Sequence, residues 1–200
     1  MWSSCLPRIG AQSSAGGVTG IASQGQLRLS LLRIALLAVP GVLLLGTLSG
    51  VLSGSGDNGW YRSLDKPGFN PPDWVFGAVW PLLYVMQGLA LAIVLHARGA
   101  ALRRKALVLF AVQFALNLAW SPLFFGAHQV RASIYVAAAL LGMAAVTTAT
   151  LFRVRRTAGF LMLPYVAWLL FALALSIAII DRNPELASAG ALSPHAPYAV

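Results

Sequence analysis

Residues 158–180 read AGFLMLPYVAWLLFALALSIAII and carry no charge. A helix rises 1.5 Å per residue, so about 20 apolar residues cross the hydrocarbon of a bilayer. The rest of the chain has the same character. Hydrophobic residues make up 58% of it and charged residues 10%, against roughly 25% charged in a soluble domain. Such a chain cannot cover a water-facing surface with charge, and the bilayer must be its main solvent.

Four more apolar stretches precede this run. With it they predict spans at about 30–52, 74–96, 105–126, 131–152 and 157–180. An open sheet would leave edge groups unsatisfied in lipid. A barrel needs period-two alternation, which these runs lack. The expected fold is therefore an all-α membrane protein, a bundle of five transmembrane helices with a long first loop capping one end. Residues 28–184 form this domain, and residues 185–200 read as a short C-terminal tail. Residues 1–27 are rich in Ser, Gly, Ala and Gln and read as a flexible tail. They do not have the basic start and apolar core of a secretory signal.

The formal net charge is +9, but the cations do not gather on one face as a nucleic-acid surface requires. They punctuate the apolar runs. With five spans, Arg8, Arg28, Arg33, Arg98, Arg103, Arg104, Lys105, Arg153, Arg155 and Arg156 share one side; Arg62, Lys66, Arg131 and Arg182 share the other. Ten against four predicts a cytoplasmic N-terminus. Helical spans with this bias also favour a bacterial inner membrane.

The connections are short except the first. Residues 53–73 read SGSGDNGWYRSLDKPGFNPPD, where three prolines and four glycines oppose a regular helix. An ordered loop over one end of a bundle is placed to gate a cavity.

In the third span Gln113, Asn117, Trp120 and Ser121 share one helical face. Amides are costly in hydrocarbon unless partnered, so this face should point inward. It serves either as hydrogen-bonding glue between helices or as a polar patch at the foot of a ligand cavity. Ala111, Ala115 and Ala119 recur on roughly the opposite face, suited to a homodimer seam or to packing within the monomer. Gly46, Gly50 and Gly54 repeat the spacing in the first span. Trp80, Tyr84, Gln87 and Gly88 form a stripe on the second span; Tyr165, Trp168, Ala172 and Ser176 form one on the fifth. Trp60 and Trp74 suit interfacial anchors as well as ligand contacts. An inward aromatic stripe suits a flat, apolar ligand.

Catalytic constellations are missing. The five acids, Asp57, Asp65, Asp73, Asp181 and Glu185, lie at span ends or in loops. His96, His128 and His195 are isolated, and Cys5 is the sole cysteine, so no metal site or internal disulfide is expected. An ion-coupled transporter usually buries an ionisable group within a span, and none is present between the span ends here.

Four blocks resemble the tryptophan-rich sensory protein / translocator protein (peripheral benzodiazepine receptor) family. They are Trp60-Tyr61-Arg62-Ser63-Leu64-Asp65-Lys66-Pro67 with Asn70-Pro71-Pro72; Trp80 with Tyr84; Asn117-Leu118-Ala119-Trp120-Ser121-Pro122-Leu123-Phe124-Phe125-Gly126; and Pro164-Tyr165-Val166-Ala167-Trp168 with Phe171-Ala172. The likeness runs from about residue 35 to residue 184 and leaves the N-terminal tail uncovered. It implies a five-helix bundle, often dimeric, with a cavity closed by the first loop. It also implies a porphyrin such as protoporphyrin IX or haem, or a similar hydrophobic molecule, as ligand, with no cofactor required. Carried over by motif, the ligand-binding residues are Trp80, Tyr84, Asn117, Trp120, Trp168, Ala172 and Leu175. Trp60, Lys66, Pro67, Phe69, Pro71 and Pro72 form the lid.

The sequence departs from the family pattern in three places. Gly68-Phe69 stands where a Trp usually follows the Lys-Pro pair, and Leu175-Ser176 replaces a usual Leu-Asn. Ile177-Ala178-Ile179-Ile180 lacks the Tyr of the sterol motif, which weighs against a cholesterol-specific role. The expected function is tetrapyrrole binding in stress or tetrapyrrole-linked regulation. The alternatives are light-dependent porphyrin degradation, with Trp80 and Trp168 as candidate redox groups, and transport of tetrapyrroles or lipids.

Overall fold

The computed structural model describes residues 24–55 and 58–188. Most of the expected N-terminal tail lies outside them. From Gln24 the chain is already helical, a few residues before the expected start of the membrane domain.

Five long helices cross the bundle: α1 (Gln24–Leu52), α3 (Asp73–His96), α4 (Arg103–Ser121), α5 (Val130–Val154) and α6 (Arg156–Arg182). The five-residue α2 (Gly59–Ser63) lies in the first loop, a π-helical turn (Pro122–Gly126) extends α4, and α7 (Glu185–Ser188) follows α6. All five long helices are long and apolar enough to span a membrane. The ring of contacts runs α1–α3–α6–α5–α4 and closes from α4 back to α1. Outward faces are apolar: Leu37 is 79% exposed and Leu44 66% exposed. The buried centre instead holds Gln87, Gln113 and Asn117. Leucine outside and amide inside is the distribution expected where lipid is the solvent.

Helix ends follow local chemistry. Gly54 takes φ +71°, and the N–H groups of Gly54 and Ser55 donate to the carbonyls of Val51 and Gly50 at 3.0 and 3.1 Å. This left-handed cap ends α1. Pro71 and Pro72 precede α3, and Asp73 places a carboxylate at its positive end. At the far end of α3, the Arg103 guanidinium donates to the carbonyls of Val94 and Leu95 at 3.2 and 3.0 Å. Asn58 caps α2, accepting from the Tyr61 N–H at 3.2 Å. One helical turn therefore does form in the glycine- and proline-rich loop, between its breakers.

The α1–α3 contact depends on two glycines. A Cβ on Gly88 would lie 2.6 Å from Val39 Cα, and one on Gly46 would overlap the Tyr84 ring. Each helix thus offers a bare backbone where its neighbour is bulky. The small-residue repeat of α1 therefore serves internal packing at Gly46. Ala111, Ala115 and Ala119 are exposed on the outer face of α4, so packing within the monomer does not bury them.

The polar face of α4 divides along its length. Gln113 Nε2 donates to Gln87 Oε1 at 3.1 Å, joining α4 to α3. One turn on, the Tyr84 hydroxyl donates to Asn117 Oδ1 at 3.1 Å. Trp120 and Ser121 lie beyond, beside a cavity.

A methyl group at position 88 must push α1 away from α3. Gly88→Ala is expected to cost about 1–3 kcal/mol as an overpacking mutation. Gly142→Ala, where a Cβ meets nothing within 4 Å, should change stability by no more than about 1 kcal/mol. Thermal melting in detergent measures both, and equal melting temperatures would contradict the close-approach account.

Candidate functional site

At the end of the bundle that carries the first loop, α1, α3, α4 and α6 enclose a cavity of about 330 Å³. Ligand pockets commonly start near 300 Å³. Two proline effects shape it. Pro122 has no N–H to give the Leu118 carbonyl one turn back. The Ser49 hydroxyl of α1 donates to that carbonyl instead, at 2.7 Å. The chain then widens into the π-helical turn, with the Ala127 N–H bonded to the Pro122 carbonyl at 2.8 Å. Such turns shift the helical phase and recur at functional sites. Here the shift brings Phe124 and Phe125 to the wall beside Trp120. Trp120 and Phe124 stack at 5.0 Å and 17°.

The opposite walls come from α3 and α6. Trp80 and Tyr84 lie 5.5 Å apart, and Phe76 meets Trp168 edge-on at 5.7 Å. Small residues, Gly46, Gly50, Ala172 and Ser176, keep the space between the rings open. Two buried donors stand out: the indole N–H groups of Trp120 and Trp168 have no acceptor among the described residues. A buried unpaired donor costs ~1–3 kcal/mol, and both rings belong to residues that line the cavity. Val51 and Gly77 line the cavity and are also exposed outside, marking a lateral mouth between α1 and α3.

Most of the motif-derived residues meet here. Trp80, Tyr84, Trp120, Trp168, Ala172 and Leu175 all line the cavity. Asn117 does not; it lies beneath Tyr84, bonded to its hydroxyl. The expected lid residues take other posts. Trp60 stacks on His128 at 4.2 Å and 19°, fastening the first loop to the α4–α5 connection. The Lys66 ammonium sits 4.8 Å over the Tyr61 ring, and Pro67 is buried. Phe69 meets Phe171 edge-on at 6.4 Å, and Phe171 in turn touches Trp168. Pro71 is half-buried, while the exposed Pro72 sits at the start of α3.

The loop residues that do face the cavity are Ser55, Asn58, Tyr61 and Arg62, joined at the mouth by Asp73. The Asn58 side chain donates to the Phe125 carbonyl at 3.2 Å. The Tyr61 hydroxyl donates to Asn70 Oδ1 at 3.1 Å. Burial, and secondarily the Asp73 carboxylate, push the Tyr61 phenol up to about 12, so it stays a neutral donor at ordinary pH.

One residue that fastens the loop escaped the sequence reading. Asn183, just past α6, accepts from the Asp65 N–H at 3.0 Å and donates to the Asp65 carbonyl at 2.9 Å. Its second amide hydrogen goes to Ile179 O at 2.7 Å. The side chain thus pairs with the loop as a strand neighbour would. Leu64 is buried beside it against Leu175 and Ile179. An Arg182–Asp65 ion pair at 3.6 Å is exposed and adds little. The signal in the sequence was an amide three residues past the last apolar run. Among the described residues, no three His, Cys, Asp or Glu side chains gather as a metal site.

Comparison with known proteins places this geometry. Residues 36–181 match the TspO/MBR family. The tryptophan-rich protein TspO of Chlorobaculum tepidum is 39% identical over 129 residues, covering 62% of this chain and 80% of that one. The human translocator protein is 39% identical over 127 residues, 62% of this chain and 75% of that one. The tryptophan-rich protein TspO of Archaeoglobus fulgidus is 34% identical over 146 residues, 73% of this chain and 94% of that one. Five membrane-spanning helices and a match across most of the chain make this a multi-pass integral membrane protein belonging to the TspO/MBR family.

Proposed function

We propose that the protein is a membrane receptor for a flat, largely apolar tetrapyrrole such as protoporphyrin IX, held in the loop-end cavity. The observation that carries this reading is an aromatic wall with two unpaired indole N–H groups, at Trp120 and Trp168. Aromatic faces stack on a macrocycle, and buried donors select acceptors on its rim or substituents. Arg62 at the mouth offers a partner for a propionate. Among the described residues, no His, Cys or Met lines the cavity, so haem would be held by its macrocycle rather than through those axial ligands. Ligand binding is read as a signal in stress or tetrapyrrole-linked regulation. The cation bias supports an N-terminus in the cytoplasm and a place in a bacterial inner membrane.

Titrating the purified protein with protoporphyrin IX in the dark, and following tryptophan fluorescence, tests the reading. Saturable quenching at micromolar ligand or below is expected. Trp168→Phe keeps a ring but removes the N–H. It should weaken binding by about 1 kcal/mol, roughly fivefold. Linear quenching, or equal quenching of the Trp80→Ala/Trp168→Ala double variant, would move the assignment away from tetrapyrroles.

The loop clamp gives a kinetic test. Asn183→Leu strands the N–H and carbonyl of Asp65, at a cost of about 1–3 kcal/mol. Faster ligand release in stopped-flow is expected, because the loop then opens more often. An unchanged release rate with unchanged melting would show that the loop does not gate the cavity.

A further inference from the structure

A second concavity, of about 460 Å³, lies on the outer surface between the start of α5 and the end of α6. It shares no lining residue with the aromatic cavity. Its walls are Ile134, Tyr135, Ile177 and Ile180, with Arg131 at one helix end and Asp181 at the other. Tyr135 is 70% exposed. Both charges sit near the ends of helices long and apolar enough to span a membrane. Among the described residues, neither side chain forms an ion pair or hydrogen bond, although the two share one groove.

We propose that this groove binds one phospholipid with an ethanolamine headgroup. The argument is charge complementarity. Arg131 is the second residue of α5, so its guanidinium and the positive helix end both attract a phosphodiester. Asp181 is the penultimate residue of α6, so its carboxylate and the negative helix end both attract a cation. One headgroup carrying both signs answers both, while an anionic lipid would answer Arg131 and be repelled by Asp181. A primary ammonium donates hydrogen bonds to a carboxylate, which a quaternary choline cannot do. Choline recognition instead relies on a cage of aromatic rings, and among the described residues Tyr135 is the one aromatic residue here. Ile134, Ile177 and Ile180 provide an apolar track for an acyl chain.

Native mass spectrometry of the full chain in mild detergent tests this. Dioleoyl phosphatidylethanolamine, phosphatidylcholine and phosphatidylglycerol are added at equal concentration. The ethanolamine lipid should be retained about three- to tenfold more than either rival, the scale of a single exposed charged contact. Asp181→Asn should erase the preference over choline. Arg131→Gln should weaken the retention of all three lipids. Melting temperatures serve as the check on folding, since both side chains are exposed. Protoporphyrin quenching should be unchanged in both variants, which separates this site from the cavity. Equal retention of ethanolamine and choline lipids by the unmodified protein would overturn the proposal. So would retention by the Arg131→Gln/Asp181→Asn double variant that matches it.

Discussion

The Ser49 hydroxyl donates to the Leu118 carbonyl at 2.7 Å, and much of the bundle's loop end depends on that bond. In water, a carbonyl freed by proline simply binds solvent. In hydrocarbon it needs a donor from the protein. Pro122 creates the vacancy, so α1 must lie close enough for Ser49 to fill it. The bond closes the helix ring between α4 and α1, a pair with fewer contacts than α1 and α3. Gly46 and Gly88 let α1 lie flat on α3 and thereby fix the distance Ser49 must reach.

The same proline sets the site's chemistry. The π-helical turn shifts the helical phase of the residues that follow Trp120. Within it, both reach the cavity, and Phe124 stacks on Trp120. The irregularity therefore concentrates aromatic surface where the loop closes over the bundle. It also brings the Phe125 carbonyl to Asn58, tying the loop to the turn. Backbone demand and ligand wall are two consequences of one residue.

The parts of this arrangement that could be read in the sequence were those with a periodic signature. Charge-free runs marked the spans because lipid leaves no alternative. Helical phase placed Trp80, Trp120 and Trp168 inward, and all three line the cavity. Phase alone could not separate Asn117 from Trp120 on the same face: a turn's difference in depth makes one an internal partner of Tyr84 and the other a wall. The first loop has no period to exploit. Motif placement made Trp60 and Phe69 lid residues over the ligand, yet Trp60 is spent on His128 and Phe69 on Phe171. Asn58 and Tyr61 face the cavity because α2 turns them there, and that turn hangs on a cap bond between those two residues. Asn183 acts 118 positions from Asp65, a separation no local pattern encodes.

Below the aromatic wall the bundle is closed. Tyr84 and Asn117 bond across it, then Gln87 and Gln113 one turn deeper, and Phe110, Phe114, Leu140 and Met162 fill the remaining core. These polar pairs seal rather than conduct, since Gln87, Gln113 and Asn117 are buried and no Asp, Glu, Lys, Arg or His is buried among the described residues. The cavity therefore has two boundaries that can yield: the first loop and the lateral mouth at Val51 and Gly77. The loop is held by Leu64 and a three-bonded Asn183. The lateral mouth is bordered by glycine, whose missing side chain leaves lipid-side access open. On the proposed function, an apolar ligand dissolved in the bilayer would meet the less obstructed path first, and the loop clamp would govern contact with the aqueous side.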